Sequence, residues 1–193
     1  MPSASLSPKV AHLVAGALLA VLYAPCLAGS PQPVELANPS FVADAAGELP
    51  GWFKTEHASG NSYTFVADPQ SPLSKPSSLR INRHGGEAFG LLQQRVKTQP
   101  AWAGRTVRLS GSLKTKGAVG PGGALVLQAR TLSDAILVHD HMDDHRRLRG
   151  DQDWKKVSVQ VKLPPTTGQL LVGVMLEEAG TLWADDLVLE VID

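Results

Sequence analysis

The sequence predicts an all-β fold, an antiparallel two-sheet β-sandwich, and three observations carry that prediction. Apolar and polar residues alternate with period two over many short runs, Gly and Pro separate the runs, and no stretch sustains a helical period. A strand patterned in this way has one apolar row and one wetted row. Two such sheets packed face to face bury their apolar rows against each other, and about nine strands joined by short turns give a jelly roll. The chain of 193 residues suits one domain with a good hydrophobic core.

In chain order, residues 1–28 read as an export signal. Lys9 supplies a short basic region, residues 10–23 an apolar run interrupted only by His12, and Pro25 ends it before Cys26-Leu27-Ala28. Cleavage is expected after Ala28. The run is shorter than the roughly 20 apolar residues a spanning helix needs, and no later segment qualifies, so no membrane span is expected once the signal is removed. Pro25 stands where a lipidation signal wants a small residue, which argues against modification of Cys26. The expected location is secreted or periplasmic, and without its only cysteine the exported chain has no thiol.

Residues 29–34 are expected to form a flexible, Pro-containing lead-in, and residues 35–193 the sandwich domain. Strands are expected at 62–67, 78–83, 88–96, 106–113, 124–131, 156–163, 170–177 and 181–192. Gly85-Gly86, Pro164-Pro165 and Gly180 mark turns, and the glycines of 117–123 read as a hairpin between two strands.

Lys and Arg number 18, as do Asp and Glu, so global electrostatics favours neither nucleic acid nor an anionic membrane surface. Any binding is local. No Gly-x-Ser-x-Gly surrounds a serine, and the exported chain has no cysteine nucleophile. Glu177-Glu178 and Asp185-Asp186 are adjacent pairs that point to opposite sides of a strand, poor geometry for an acid and a base acting on one substrate.

In the C-terminal third, Gly150 to Trp154 opens one strand and Gly180, Trp183, Asp185 and Asp186 mark another. The pattern resembles that of galactose-binding-like jelly rolls related to carbohydrate-binding modules. It extends to "NPSF" from Asn38, "PGW" from Pro50, "SLRI" from Ser78 and "AGRTVRLSGSLKT" from Ala103. It covers most of 35–193 and implies the sandwich fold, but this fold hosts sugar binders, protein binders and enzyme appendages alike. The resemblance also implies a structural calcium held between the first strand and Asp185 or Asp186. Val42 stands where the family usually carries an acid after the phenylalanine, which removes a hard oxygen ligand. The alternative is that both aspartates cap a strand end in solvent.

The densest chemistry lies in HDHMDDHRRLRG, residues 139–150, with three each of His, Asp and Arg. Extended, it projects His139, His141, Asp143 and His145 to one side, yet side chains two apart on a strand are separated by roughly 7 Å, so a zinc site needs a turn or second strand. Helical, it places His141 and His145 one turn apart, but Met142 replaces the glutamate of a zinc protease helix. A polar loop, a ligand contact and a metal site are the three readings, in that order. Arginines such as Arg147 add planar, multi-donor recognition of carboxylates and sugar hydroxyls. On a neighbouring strand Gln128 and Arg130 alternate with apolar Leu125, Leu127 and Ala129. Trp154 and Trp183 are expected as packing anchors, and Trp52 and Trp102, beside prolines in expected loops, as candidate stacking groups.

The leading reading is a secreted, non-catalytic module binding carbohydrate or another envelope ligand through Gln128, Arg130, His139, His141 and Arg147 with Trp52 or Trp102. The second is an accessory module docking an envelope protein. The third is a metal-dependent hydrolase or lyase centred on His139, His141 and His145.

Overall fold

A computed structural model describes Met1, residues 30–58 and residues 60–193. The expected signal peptide lies outside the described residues. No described helix is long and apolar enough to cross a membrane.

The described residues form strands β1 (Gln32–Val34), β2 (Phe53–Glu56), β3 (Tyr63–Asp68), β4 (Ser78–Arg83), β5 (Phe89–Lys97), β6 (Thr106–Arg130), β7 (Ile136–Asp140), β8 (Leu148–Lys162), β9 (Gln169–Glu177) and β10 (Thr181–Val191), with a 3₁₀ turn at Pro100–Trp102. All pairings are antiparallel, as expected for a two-sheet sandwich. The long strand β6 belongs to both layers. Its first half pairs with β8 and β10, which continues to β4 and β3, while its second half pairs with β7 and with β9, which continues to β5 and β2.

This corrects the hairpin expected at 117–123. Gly117, Gly120 and Gly122 have φ of 58°, 62° and 79°, and the register against β8 slips repeatedly there. The glycines let one strand kink and pass from one layer to the other, because left-handed φ is cheap only without a Cβ. A Cβ on Gly122 would also lie 2.2 Å from the Leu148 carbonyl oxygen, so close strand approach excludes a side chain.

The lead-in is corrected as well, since Gln32, Pro33 and Val34 pair with Val191, Glu190 and Leu189. Proline is tolerated because β1 is an edge strand, where a missing N–H need not interrupt a ladder. Strands β2 and β7 carry too little alternation to be found from sequence, and pairing to β5 and β6 defines them.

The main core lies between the layers, where Leu109, Leu113, Leu125, Leu127, Leu176, Leu182 and Leu189 are almost completely buried. The tryptophan expectations are reversed. Trp52 and Trp102 retain 7% and 3% of their exposure and belong to the core, Trp52 tilted against Phe41 with its Nε1–H donating to the Asn38 carbonyl. Trp154 and Trp183 are only half-buried, and Trp183 donates to Asp68. Flanking prolines made the first pair look like loop residues, but the loops fold inward and bury them.

Candidate binding cleft

A cleft of about 440 Å³ crosses the free face of the β2-β5-β9-β6-β7 layer. Its residues are set by strand register. Gln93 pairs with both Phe53 and Gly173, and Gly173 pairs in turn with Val126, so these four share one row. The next row runs Arg95, Leu171, Gln128, His139. Gly173 is buried beneath the Leu91 side chain, and a Cβ there would lie 2.7 Å from the Leu92 carbonyl oxygen and 2.8 Å from Leu91 Cδ1. Leu91, Val126, Leu171 and Met175, with Phe89, form a second apolar cluster that floors the cleft.

Above this floor stand planar polar groups. Gln128, Arg130 and His141 line the cleft together, as the alternation on β6 suggested for the first two. Arg130 Nε donates to Gln128 Oε1 at 2.7 Å, and Gln128 Nε2 lies 2.7 Å from His141 Nε2. An arginine only donates, so the amide oxygen must face it, the amide N–H must face the imidazole, and His141 Nε2 must accept. The ring is therefore neutral with its proton on Nδ1. Its pKa falls from 6.5 to about 4, mainly through burial, assisted by His139 and Arg147.

His139 is exposed, and its ring lies 4.6 Å from that of His141. Arg147 lies outside the cleft proper: its Nη1 binds Glu177, a cleft residue, at 2.7 Å, and its Nε donates to the Met142 carbonyl. His145 is exposed in a separate basic depression beyond Arg146 and Arg147. The three histidines do not converge, and among the described residues no group of three or more His, Cys, Asp or Glu is placed to hold a metal ion.

The local fold explains this. Met142, at φ 57°, turns its side chain into the core, where Sδ accepts the Leu125 N–H, and so ends the extended run after His141. Arg146 then bridges Asp140 and Asp143, and Asp140 also accepts the Gln160 and Met142 N–H groups. Burial tends to raise the Asp140 carboxyl, but Arg146 and these N–H donors outweigh it and hold it below the ordinary range.

Asp185 and Asp186, the two carboxylates weighed for calcium, lie in different surroundings, Asp185 buried and Asp186 exposed. They occupy the interior of β10 at a bulge, neither capping a strand end nor facing one side. Asp185 is buried, its Oδ2 accepting from the Leu73 and Ser74 N–H groups and its Oδ1 from that of Asp186. Lone pairs filled by N–H donors are unavailable to a cation. The nearby Ser40 and Phe41 carbonyls receive the Ser77 hydroxyl.

The cleft residues that periodicity alone did not single out are Thr55, Gln93, Arg95, Glu177 and the floor. Alternation on β5 and β9 contains the signal, but only register brings these residues beside Gln128. Gln93 Nε2 donates to Thr55 Oγ1 at 2.6 Å, while Gln93 Oε1 is buried and has no partner in the protein. Phe53, 63% exposed, lies on the same face, in the row of Gln93.

No protein-family model matches the chain. Its fold is that of the carbohydrate-binding β-sandwich modules. The CBM22-1 xylan-binding domain from Paenibacillus barcinonensis Xyn10C superposes with a TM-score of 0.56 at 15% identity, covering 86% of this chain and 99% of that domain. TmCBM61, solved with β-1,4-galactotriose, gives 0.51 at 16% identity over 80% and 95%. The enzymatically active domain of bacteriophage CBA120 tailspike protein 4 gives 0.60 at 10% identity, and there the match spans 22% of the longer chain. A curated relative in sequence, the uncharacterized HTH-type transcriptional regulator YbfP of Bacillus subtilis (strain 168), is 29% identical over 105 residues, which are 54% of this chain and 35% of that protein.

Proposed function

We propose that the protein is an exported, non-catalytic carbohydrate-binding module whose site is the β2-β5-β9-β6-β7 cleft. The observation that carries this reading is the cleft's composition: an apolar floor of Leu91, Val126, Leu171 and Met175 ringed by Gln93, Gln128, Arg130 and His141. A sugar ring has apolar C–H faces and hydroxyl edges, and such a site meets both. The polar edges of Gln128, Arg130 and His141 line the cleft, where sugar hydroxyls could hydrogen-bond to them. Phe53 and the His139–His141 pair border the floor with planar rings for stacking. The fold shared with a xylan-binding domain and with TmCBM61, solved with β-1,4-galactotriose, supports the same reading.

Export through residues 1–28 would place the module in the periplasm or outside the cell, with its ligand in the envelope or beyond it. Retention of the purified protein on xylan, galactan, β-glucan, polygalacturonate and cell-wall fractions tests binding, with affinities measured by calorimetry. Micromolar affinity for at least one is expected, and no retention on any overturns the proposal. N-terminal sequencing of the exported chain should begin at Gly29, and an intact Met1 in the exported fraction would contradict signal cleavage.

A further inference from the structure

One end of the cleft is positively charged in a specific way. Arg95 and Arg130, on β5 and β6, both line the cleft, and both pair with the single carboxylate of Asp134, Arg95 doing so with both terminal nitrogens. Lys97, in register with Gln169 and through it with Arg130, has no ion-pair partner among the described residues. Two guanidiniums thus share one acid, with Lys97 in the same strand row as Arg130. Arg130 uses Nε on Gln128 and Nη1 on Asp134, leaving Nη2 without a protein acceptor.

Asp134 does not belong to the cleft wall. It sits at φ 73° in the turn between β6 and β7, a turn held independently by Thr131 N–H to the Ala135 carbonyl, Asp134 N–H to the Thr131 carbonyl and Ala135 N–H to Thr131 Oγ1. From that turn its carboxylate reaches the guanidiniums of Arg95 and Arg130. The arginines hold its carboxyl at about 2.

We propose, building on the reading of the cleft as a glycan site, that its ligand is an acidic polysaccharide bearing uronate carboxylates, and that Asp134 occupies the place a ligand carboxylate takes between Arg95 and Arg130. Guanidinium forks match carboxylates in plane and spacing, giving directional, charge-assisted recognition that lysine or an amide does not provide. The cleft lacks the broad Trp or Tyr platforms on which neutral sugars stack, since Trp52 and Trp102 are buried elsewhere. Charged recognition at this end compensates for that.

The test compares polygalacturonate and glucuronoxylan with their carboxyl-reduced counterparts, which keep the same backbones without the charge. The acid forms should bind at least tenfold more tightly, and the preference should weaken steeply between low and high salt. Arg95→Gln and Arg130→Gln should bring the ratio close to one. Asp134→Asn, tolerated because asparagine accepts positive φ, should raise it severalfold. Arg95 is surface-placed, so its variant keeps the test informative if Arg130→Gln does not fold. Equal binding of acid and reduced forms overturns the uronate assignment while leaving the glycan reading intact. Binding of neither to any carbohydrate overturns both.

Discussion

The two halves of β6 are the same strand placed in two layers, and their outward rows differ in kind. In the first half Arg108 faces Glu190 at 2.8 Å and Ser110 faces Val188, above shallow depressions of about 180 and 280 Å³. In the second half Val126 joins the apolar floor, while Gln128 and Arg130 rise beside a 440 Å³ cleft. Inward, the halves are equivalent, Leu109 and Leu127 both being fully buried. Stability therefore rests on both halves, whereas the proposed binding site uses only one. An apolar floor and incompletely satisfied polar groups distinguish a site from a merely polar surface.

The largest effects should appear where the halves agree. Leu109→Ala and Leu127→Ala should each cost about 2–5 kcal/mol in denaturant unfolding, from lost burial and the cavity left behind. A cost under about 1 kcal/mol at either position would show that β6 is not a shared core strand. Next come the outward rows. Gln128→Ala and Arg130→Ala should each weaken glycan affinity by roughly tenfold or more, since a hydrogen bond to a charged group contributes about 1.5–3 kcal/mol. Arg108→Ala should leave affinity within twofold, and comparable losses in both halves would show that the two outward faces do not differ in binding.

The alternation of Gln128 and Arg130 with Leu125, Leu127 and Ala129 was legible in sequence because strand periodicity is local. So were the full extent of β4 and most of β3, β5, β9 and β10. What was hidden depends on pairing between distant residues: Gln93 and Arg95 become site residues only when β9 aligns them with Gln128. The glycines of 117–123 misled because turn composition does not distinguish a reversing chain from a kinked strand. The metal reading of His139, His141 and His145 ranked last from sequence, and Met142 breaks their common face by entering the core.

Smaller effects refine the comparison. Phe53→Ala should reduce affinity severalfold with little change in stability, because the ring is already mostly exposed. Val188→Ala, on the other face, should change neither. The pH dependence should be smallest. Folded His141 titrates near 4 against an ordinary 6.5, so the unfolded chain binds more protons between those values and stability falls as pH drops from 6.5 to 4. The contribution is intact above 6.5. With solvent screening of this half-buried ring, the loss should be on the order of 1 kcal/mol, and His141→Gln should flatten it. A stability rise on acidification through this window would contradict a ring held neutral by burial.

The most direct test of the central claim is a backbone-amide NMR titration of the protein with xylan, galactan and polygalacturonate oligosaccharides in turn. The shared-strand account predicts saturable shifts at Gln93, Val126, Gln128, Arg130 and His141, with Arg108, Ser110 and Lys156 unmoved. Shifts centred on the Arg108 and Ser110 face, or none with any of the three, would contradict it.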